Sequence, residues 1–141
     1  MEVAALIISI IALIIPFFEV LFALKMNKTN LKSDYFSTLY NEYLFSKIPN
    51  TREKIDTNMN GKLVGYEELQ NTVINMLCDS AFFKYSDEEF YNELKTKCFG
   101  LEDYLLESAN KIGINLAIVL VEIDNKLKEI YKQINKKYEK G

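Results

Sequence analysis

The chain has 141 residues, with 17 lysines and arginines against 20 acids, a formal net charge of −3, two cysteines and no histidine. Such a length suits one modest domain, and the slightly acidic balance argues against a chain-wide polyanion-binding surface. Without histidine no Ser-His or Cys-His nucleophile site and no histidine metal cluster can form, and GxxxxGK[ST], GxGxxG and GxSxG are absent. No catalytic, cofactor-binding or metal-ligating residue is therefore assigned, and the chain is not expected to be an enzyme.

Val3 to Leu24 form one apolar run, interrupted only by Ser9, Pro16 and Glu19. As a helix it is long enough to cross a hydrocarbon layer of about 30 Å, and its apolar residues lie at every angle around the axis. No Lys or Arg precedes it and Phe22-Ala23-Leu24 is a poor small-x-small cleavage site, so a membrane anchor suits it better than a removed signal peptide. Lys25, Lys28 and Lys32 follow the run, which predicts an outward amino terminus and a cytoplasmic remainder at a bacterial inner membrane. The domains are thus residues 1–26, a transmembrane helix, and residues 27–141, a cytoplasmic helical oligomerisation and sensor domain. Two cysteines are too few for a disulfide framework and suit a reducing compartment.

Within the span, Ala5, Ala12 and Glu19 recur every seven residues on one face. Small residues let helices approach closely, and a carboxylate there escapes lipid by facing neighbours or water. In a parallel homo-oligomer Glu19 would form an acidic ring of the kind that conducts cations, while Pro16 one turn earlier would kink or widen the bundle. The plainer alternative has Glu19 reaching the inner interface or pairing with Lys25.

Beyond the span the pattern is helical, giving an all-α fold. Phe36, Leu39, Tyr40, Tyr43, Leu44 and Ile48 step by three and four, with Ser33 as N-cap and Pro49 as the stop. Asp56-Thr-Asn58-Met-Asn60-Gly61 through Glu67 matches a calcium-loop pattern, with oxygens at Asp56, Asn58, Asn60 and Glu67. Arg52 and Pro49 spoil the incoming helix and no partner loop exists, so an Asn60-Gly61 turn between helices is preferred and no calcium is assigned.

A second helix is expected from about Tyr66 to Phe83, with Leu69, Val73, Met76 and Leu77 on one side. Ser86 through Glu89 reads as a capping box opening a third. Leu94, Cys98, Leu101, Leu105, Ser108 and Ile112, then Leu116, Leu120, Ile123, Leu127, Ile130, Ile134 and Tyr138, alternate by threes and fours in coiled-coil style. Gly113 favours a break into a hairpin over a helix continued through a stutter, and Ile112 to Val121 is apolar enough to predict burial on every side, with help from another subunit, a strand there being the minor alternative. Cys78 and Cys98 are expected in the core.

The last helix carries Lys128, Lys132, Lys136 and Lys137 around Tyr131. Lysines beside an aromatic ring can hold phosphates while bases stack, or press on anionic lipid, so these residues are the candidate contact for a single-stranded nucleic-acid signal. A solvated coiled-coil flank is the plainer alternative.

The opening Met1-Glu-Val-Ala-Ala-Leu-Ile-Ile-Ser-Ile-Ile-Ala-Leu-Ile resembles the start of small bacterial membrane proteins with one amino-terminal span. Asp34-Tyr-Phe, Phe82 through Tyr91 and Leu101-Glu-Asp-Tyr-Leu105 are similar to the cytosolic domains attached to such spans. Proteins of this architecture include membrane effectors of anti-phage defence, among them the Hailong type, an oligomeric ion channel held shut by single-stranded DNA. The resemblance implies a gated pore that depolarises the membrane in abortive infection; it transfers no individual functional residue. The alternative is a non-conducting anchor that presents a helical interaction domain to a cytosolic partner.

Overall fold

A computed structural model describes residues 33–139 together with Val20, Leu21 and Ala23. Two compact units make up the chain, Met1–Ser37 and Thr38–Gly141. In the first, residues 33–37 are helical, so Ser33 lies inside a helix and is not its cap. The apolar run and its Ala5, Ala12, Pro16 and Glu19 lie outside the described residues. Among the described residues no helix is long and apolar enough to cross a membrane.

The second unit is mainly helical, as the patterning predicts. It opens with a π-helix, Leu39–Lys47, that passes into α1, Ile48–Arg52. Leu39, Tyr43, Leu44 and Ile48 are buried, a four-to-five residue rhythm that suits the wider π turn. Pro49 does not stop the helix. The amide of Ile48 donates to the carbonyl of Tyr43, five residues back, so the register has already widened when the chain reaches Pro49 in the first turn of α1. A proline is tolerated in a first turn because no helical donor is required of it there.

A two-stranded ribbon follows, an element outside the all-helical expectation. β1, Asp56–Thr57, pairs antiparallel with β2, Leu63–Val64, aligning Asp56 with Val64 and Thr57 with Leu63. Asn58 builds the turn: its Oδ1 accepts from the amides of Asn60 and Lys62, both at 3.0 Å, as an Asx residue does. The ribbon tip is fastened to the turn near residue 113, where the Gly61 carbonyl accepts from the amides of Gly113 and Ile114 at 3.1 and 3.2 Å. A Cβ on Gly61 would stand 2.9 Å from the Gly113 Cα, and the backbone there has φ +67°, so only glycine permits this approach.

α2, Tyr66–Asp79, buries Leu69, Val73, Met76 and Leu77 as the spacing predicts, with Glu67 and Glu68 in its first turn. A 3₁₀ turn, Ser80–Phe82, and α3, Phe83–Ser86, lead to α4, Glu88–Ala109. The cap of α4 is Asp87, one residue beyond the expected Ser86: its Oδ1 accepts from the Phe90 amide at 3.2 Å. Ser86 is occupied in the preceding helix, donating its hydroxyl to the Phe82 carbonyl. A carboxylate also suits the positive end of the helix better than a hydroxyl.

After the break at Gly113, α5 runs Leu116–Glu139. α4 and α5 lie antiparallel: Asp87 pairs with Lys137, Glu93 with Gln133, Lys97 with Glu129, and Lys126 stands over the Tyr104 ring. Inside this zipper Leu94, Cys98, Leu101, Leu105 and Ser108 meet Ile123, Leu127, Ile130 and Ile134, all buried. Each large apolar side chain so enclosed contributes roughly 1.5–3 kcal/mol. Two expectations fail here. Tyr138 is exposed, and the Ile112–Val121 segment is not buried on every side: Val119 is in the core where Leu116 and Leu120 were expected and are only half-buried, while Ile112 is 72% exposed, Ile118 66% and Val121 59%. Two antiparallel helices cover only the facing stripe of each, and at this corner the described residues place no third element over the outer side. Cys78 is likewise exposed, on the outer face of α2, whereas Cys98 is core.

Candidate functional site

A groove of about 740 Å³ lies where α1 crosses α5. Ile48, Pro49 and Leu127 give it an apolar floor, and Lys128, Glu129 and Lys132 stand on its rim. Its geometry begins with the chain's only arginine. Arg52 Nε donates to Asp124 Oδ1 at 2.7 Å and its second nitrogen to Oδ2 at 3.0 Å, a two-point grip that lysine cannot make. This pair locks α1 against the middle of α5.

Tyr131 makes the second tie. Its hydroxyl donates to the Leu44 carbonyl at 2.5 Å. In the π register the natural donor to that oxygen is the amide of residue 49, and proline has none. The phenol fills the vacancy that Pro49 creates, and burial raises its pKa above the ordinary value, which keeps it a donor.

Asn135 also lines the groove, and its Oδ1 is buried with no hydrogen-bond partner among the described residues. An acceptor in that condition costs about 1–3 kcal/mol and invites a donor from outside the protomer.

The groove gathers three of the five candidate contacts, Lys128, Tyr131 and Lys132. Lys132 approaches Glu129 at 3.4 Å in an exposed pair, and Lys128 is exposed. Lys136 and Lys137 lie apart, beside a smaller recess with Asp87, Glu93 and Gln133. Lys137 is committed to Asp87, and Tyr131 to Leu44, so structural duties precede any contact with a ligand. Asp124 and Asn135 were not singled out by the sequence patterns, and Arg52 entered only as an obstacle to the calcium-loop helix. The lone arginine among lysines was their available signal.

Two of the calcium-pattern side chains serve backbone geometry. Asn58 Oδ1 carries the turn, Asp56 Oδ1 accepts from the Thr57 amide, and Glu67 sits exposed in the first turn of α2. Among the described residues no group of three acidic or sulfur ligands converges.

Comparison with protein-family models, curated proteins and solved structures finds no match. The class is set by the fold alone: a small helical domain with a charged-rim groove and an uncovered apolar corner.

Proposed function

We propose that the chain is an oligomeric membrane effector. Its amino-terminal apolar run inserts in the bilayer, the helical domain gathers copies, and the gathered spans form a gated, ion-conducting pore that depolarises the cell. Ala5, Ala12 and Glu19 then line or seal the pathway, with Pro16 shaping it. The observation that carries the reading is the uncovered flank of α5. Ile118 and Val121 stand one turn apart, 66% and 59% exposed, on a domain preceded by a run of apolar residues. Exposed apolar neighbours on one helix face mark an association surface. Lys128, Lys132 and Lys136 are the exposed cations through which an anionic signal, such as a single-stranded nucleic acid, would act on gating.

The test is the stoichiometry of the detergent-solubilised full chain, together with membrane potential on expression. An oligomer that depolarises cells, and loses the effect when residues 1–26 are deleted or Glu19 is replaced by Leu, supports the pore. A strict monomer overturns it. The α1–α5 groove, with its orphaned Asn135 acceptor, favours a second reading in which a non-conducting anchor presents the domain to one cytosolic protein. A harmless chain that co-purifies with a single soluble partner would decide for that reading.

A further inference from the structure

The flank of α5 that carries Ile118 and Val121 needs a counter-surface, and the outer face of α4 has the matching chemistry. Phe99 and Leu106, seven residues apart, are 41% and 40% exposed. Each stands two residues on from a side chain that meets α5, Lys97 and Tyr104. Two residues turn a helix by about 200°, so Phe99 and Leu106 lie on the far side of α4. Asp103 is exposed between them with Glu102 beside it, and no cation pairs with either carboxylate among the described residues. The outward stripe of α5 has the opposite charge. After Ile118 and Val121, at steps of three and four, come Asn125, Lys128 and Lys132, all exposed. No carboxylate pairs with Lys128 among the described residues.

The two faces also match in height. Lys97 meets Glu129, and Lys126 stands over Tyr104. Counting residue for residue from these two pairs along the antiparallel helices, Leu106 is level with residues 120–124, Asp103 with 123–127 and Phe99 with 127–131. Copies held in one bilayer are related by rotation about its normal, and a hairpin standing along that normal keeps its levels from copy to copy. The open end of the hairpin lies where the chain enters this unit: the Tyr138 ring is 5.2 Å from that of Tyr40, two residues past Thr38.

We infer that α5 of one copy docks on α4 of the next, head to tail. Ile118 and Val121 pack on Leu106, the aliphatic stem of Lys128 lies against the Phe99 ring, and its ammonium reaches Asp103 one turn along α4. Pairing either face with itself is repulsive. At equal height, α5 on α5 sets Lys128 against Lys128 and Lys132 against Lys132, and α4 on α4 sets Asp103 against Asp103. Lys95 and Lys132 fall level in the head-to-tail contact, but each is turned aside, Lys95 over the Phe99 ring at 5.5 Å and Lys132 toward Glu129 at 3.4 Å. Because the two faces differ, each copy uses both, and a rotation that closes makes a ring of copies around one axis. The inference rests on the oligomer proposed above and not on conduction.

The test uses the detergent-solubilised full chain in a Cys78→Ser background, carrying Leu106→Cys, Val121→Cys or both, and oxidised with copper phenanthroline. Light scattering first checks that each variant keeps the parent's stoichiometry. Neither single variant should crosslink with itself, the two co-expressed should give dimers only, and the chain with both should give a ladder of multimers. Charge reversal is a second measurement that needs no cysteine. Asp103→Lys or Lys128→Asp alone should raise the concentration for half-assembly roughly tenfold, and the two in one chain should bring it back to within about twofold. Crosslinking of Val121→Cys with itself overturns the inference in favour of α5 on α5. So does an intact oligomer with neither a ladder nor a rescue. A strict monomer of the parent chain removes the proposed oligomer and this contact together, whereas either of the two preceding results removes the contact alone.

Discussion

Pro49 has no amide hydrogen, so the carbonyl of Leu44, five residues earlier in the π register, finds its donor in the Tyr131 hydroxyl at 2.5 Å. Tyr131→Phe should leave that oxygen unsatisfied and destabilise the domain by about 1–3 kcal/mol in thermal or urea unfolding. Pro49→Ala restores an amide, so in the Tyr131→Phe background it should recover part of the loss. Strict additivity of the two changes would show that the carbonyl never depended on either donor. The cysteines give an independent residue-scale expectation. Burial pushes the Cys98 thiol up to about 12 from 9.0, so it stays protonated, while Cys78 is exposed. A thiol reagent near pH 8 should count one group in the native chain and two in denaturant. Because the raised pKa belongs to the folded state, this group's contribution is whole below pH 9. It falls by about 1.4 kcal/mol per pH unit between 9 and 12, and Cys98→Ala should flatten that decline.

At the scale of elements, the stripes of α2, α4 and α5 were legible because one side of each helix meets a neighbour, and such burial leaves a regular imprint on the sequence. Leu94 through Leu105 and Ile123 through Ile134 follow it without exception. The π-helix was not legible, since buried Leu39, Tyr43, Leu44 and Ile48 satisfy both an α and a wider period. The bond that accompanies it, from a Tyr131 hydroxyl 87 positions later to the Leu44 carbonyl, is invisible to local pattern. The same holds for the groove: Arg52 and Asp124 lie 72 residues apart. The calcium pattern is ambiguous for a related reason, because asparagine and glycine serve a tight ribbon turn as well as an ion cage. Gly61→Ala should therefore lower stability through collision with Gly113 and a strained φ, by about 1–3 kcal/mol. Calcium at millimolar concentration should leave the melting temperature of the unaltered chain unchanged, and a rise of several degrees would restore the ion-binding alternative.

For the whole molecule, the Ile112–Val121 segment sharpens what its composition implies. An apolar stretch of this kind predicts burial, and the described residues leave Ile118 and Val121 in water, so any cover comes from elsewhere, a second copy in the reading proposed above. This separates folding from assembly and makes the two measurable apart. Ile118→Glu with Val121→Glu removes no contact of the buried stripe, so the melting temperature of the diluted domain should move by no more than a few degrees. Glutamates enclosed in a copy-to-copy contact would instead be desolvated without partners, a cost of several kcal/mol per interface. Light scattering on the detergent-solubilised chain should then show a fall to lower order, with depolarisation lost in parallel. Two results would count against assembly through this flank: an unchanged oligomer, or a collapse of the fold itself, which would place these side chains in a core. A fall to monomer with an intact melting curve and retained depolarisation would be more telling still, since it would detach conduction from the helical domain and leave the apolar run to associate alone.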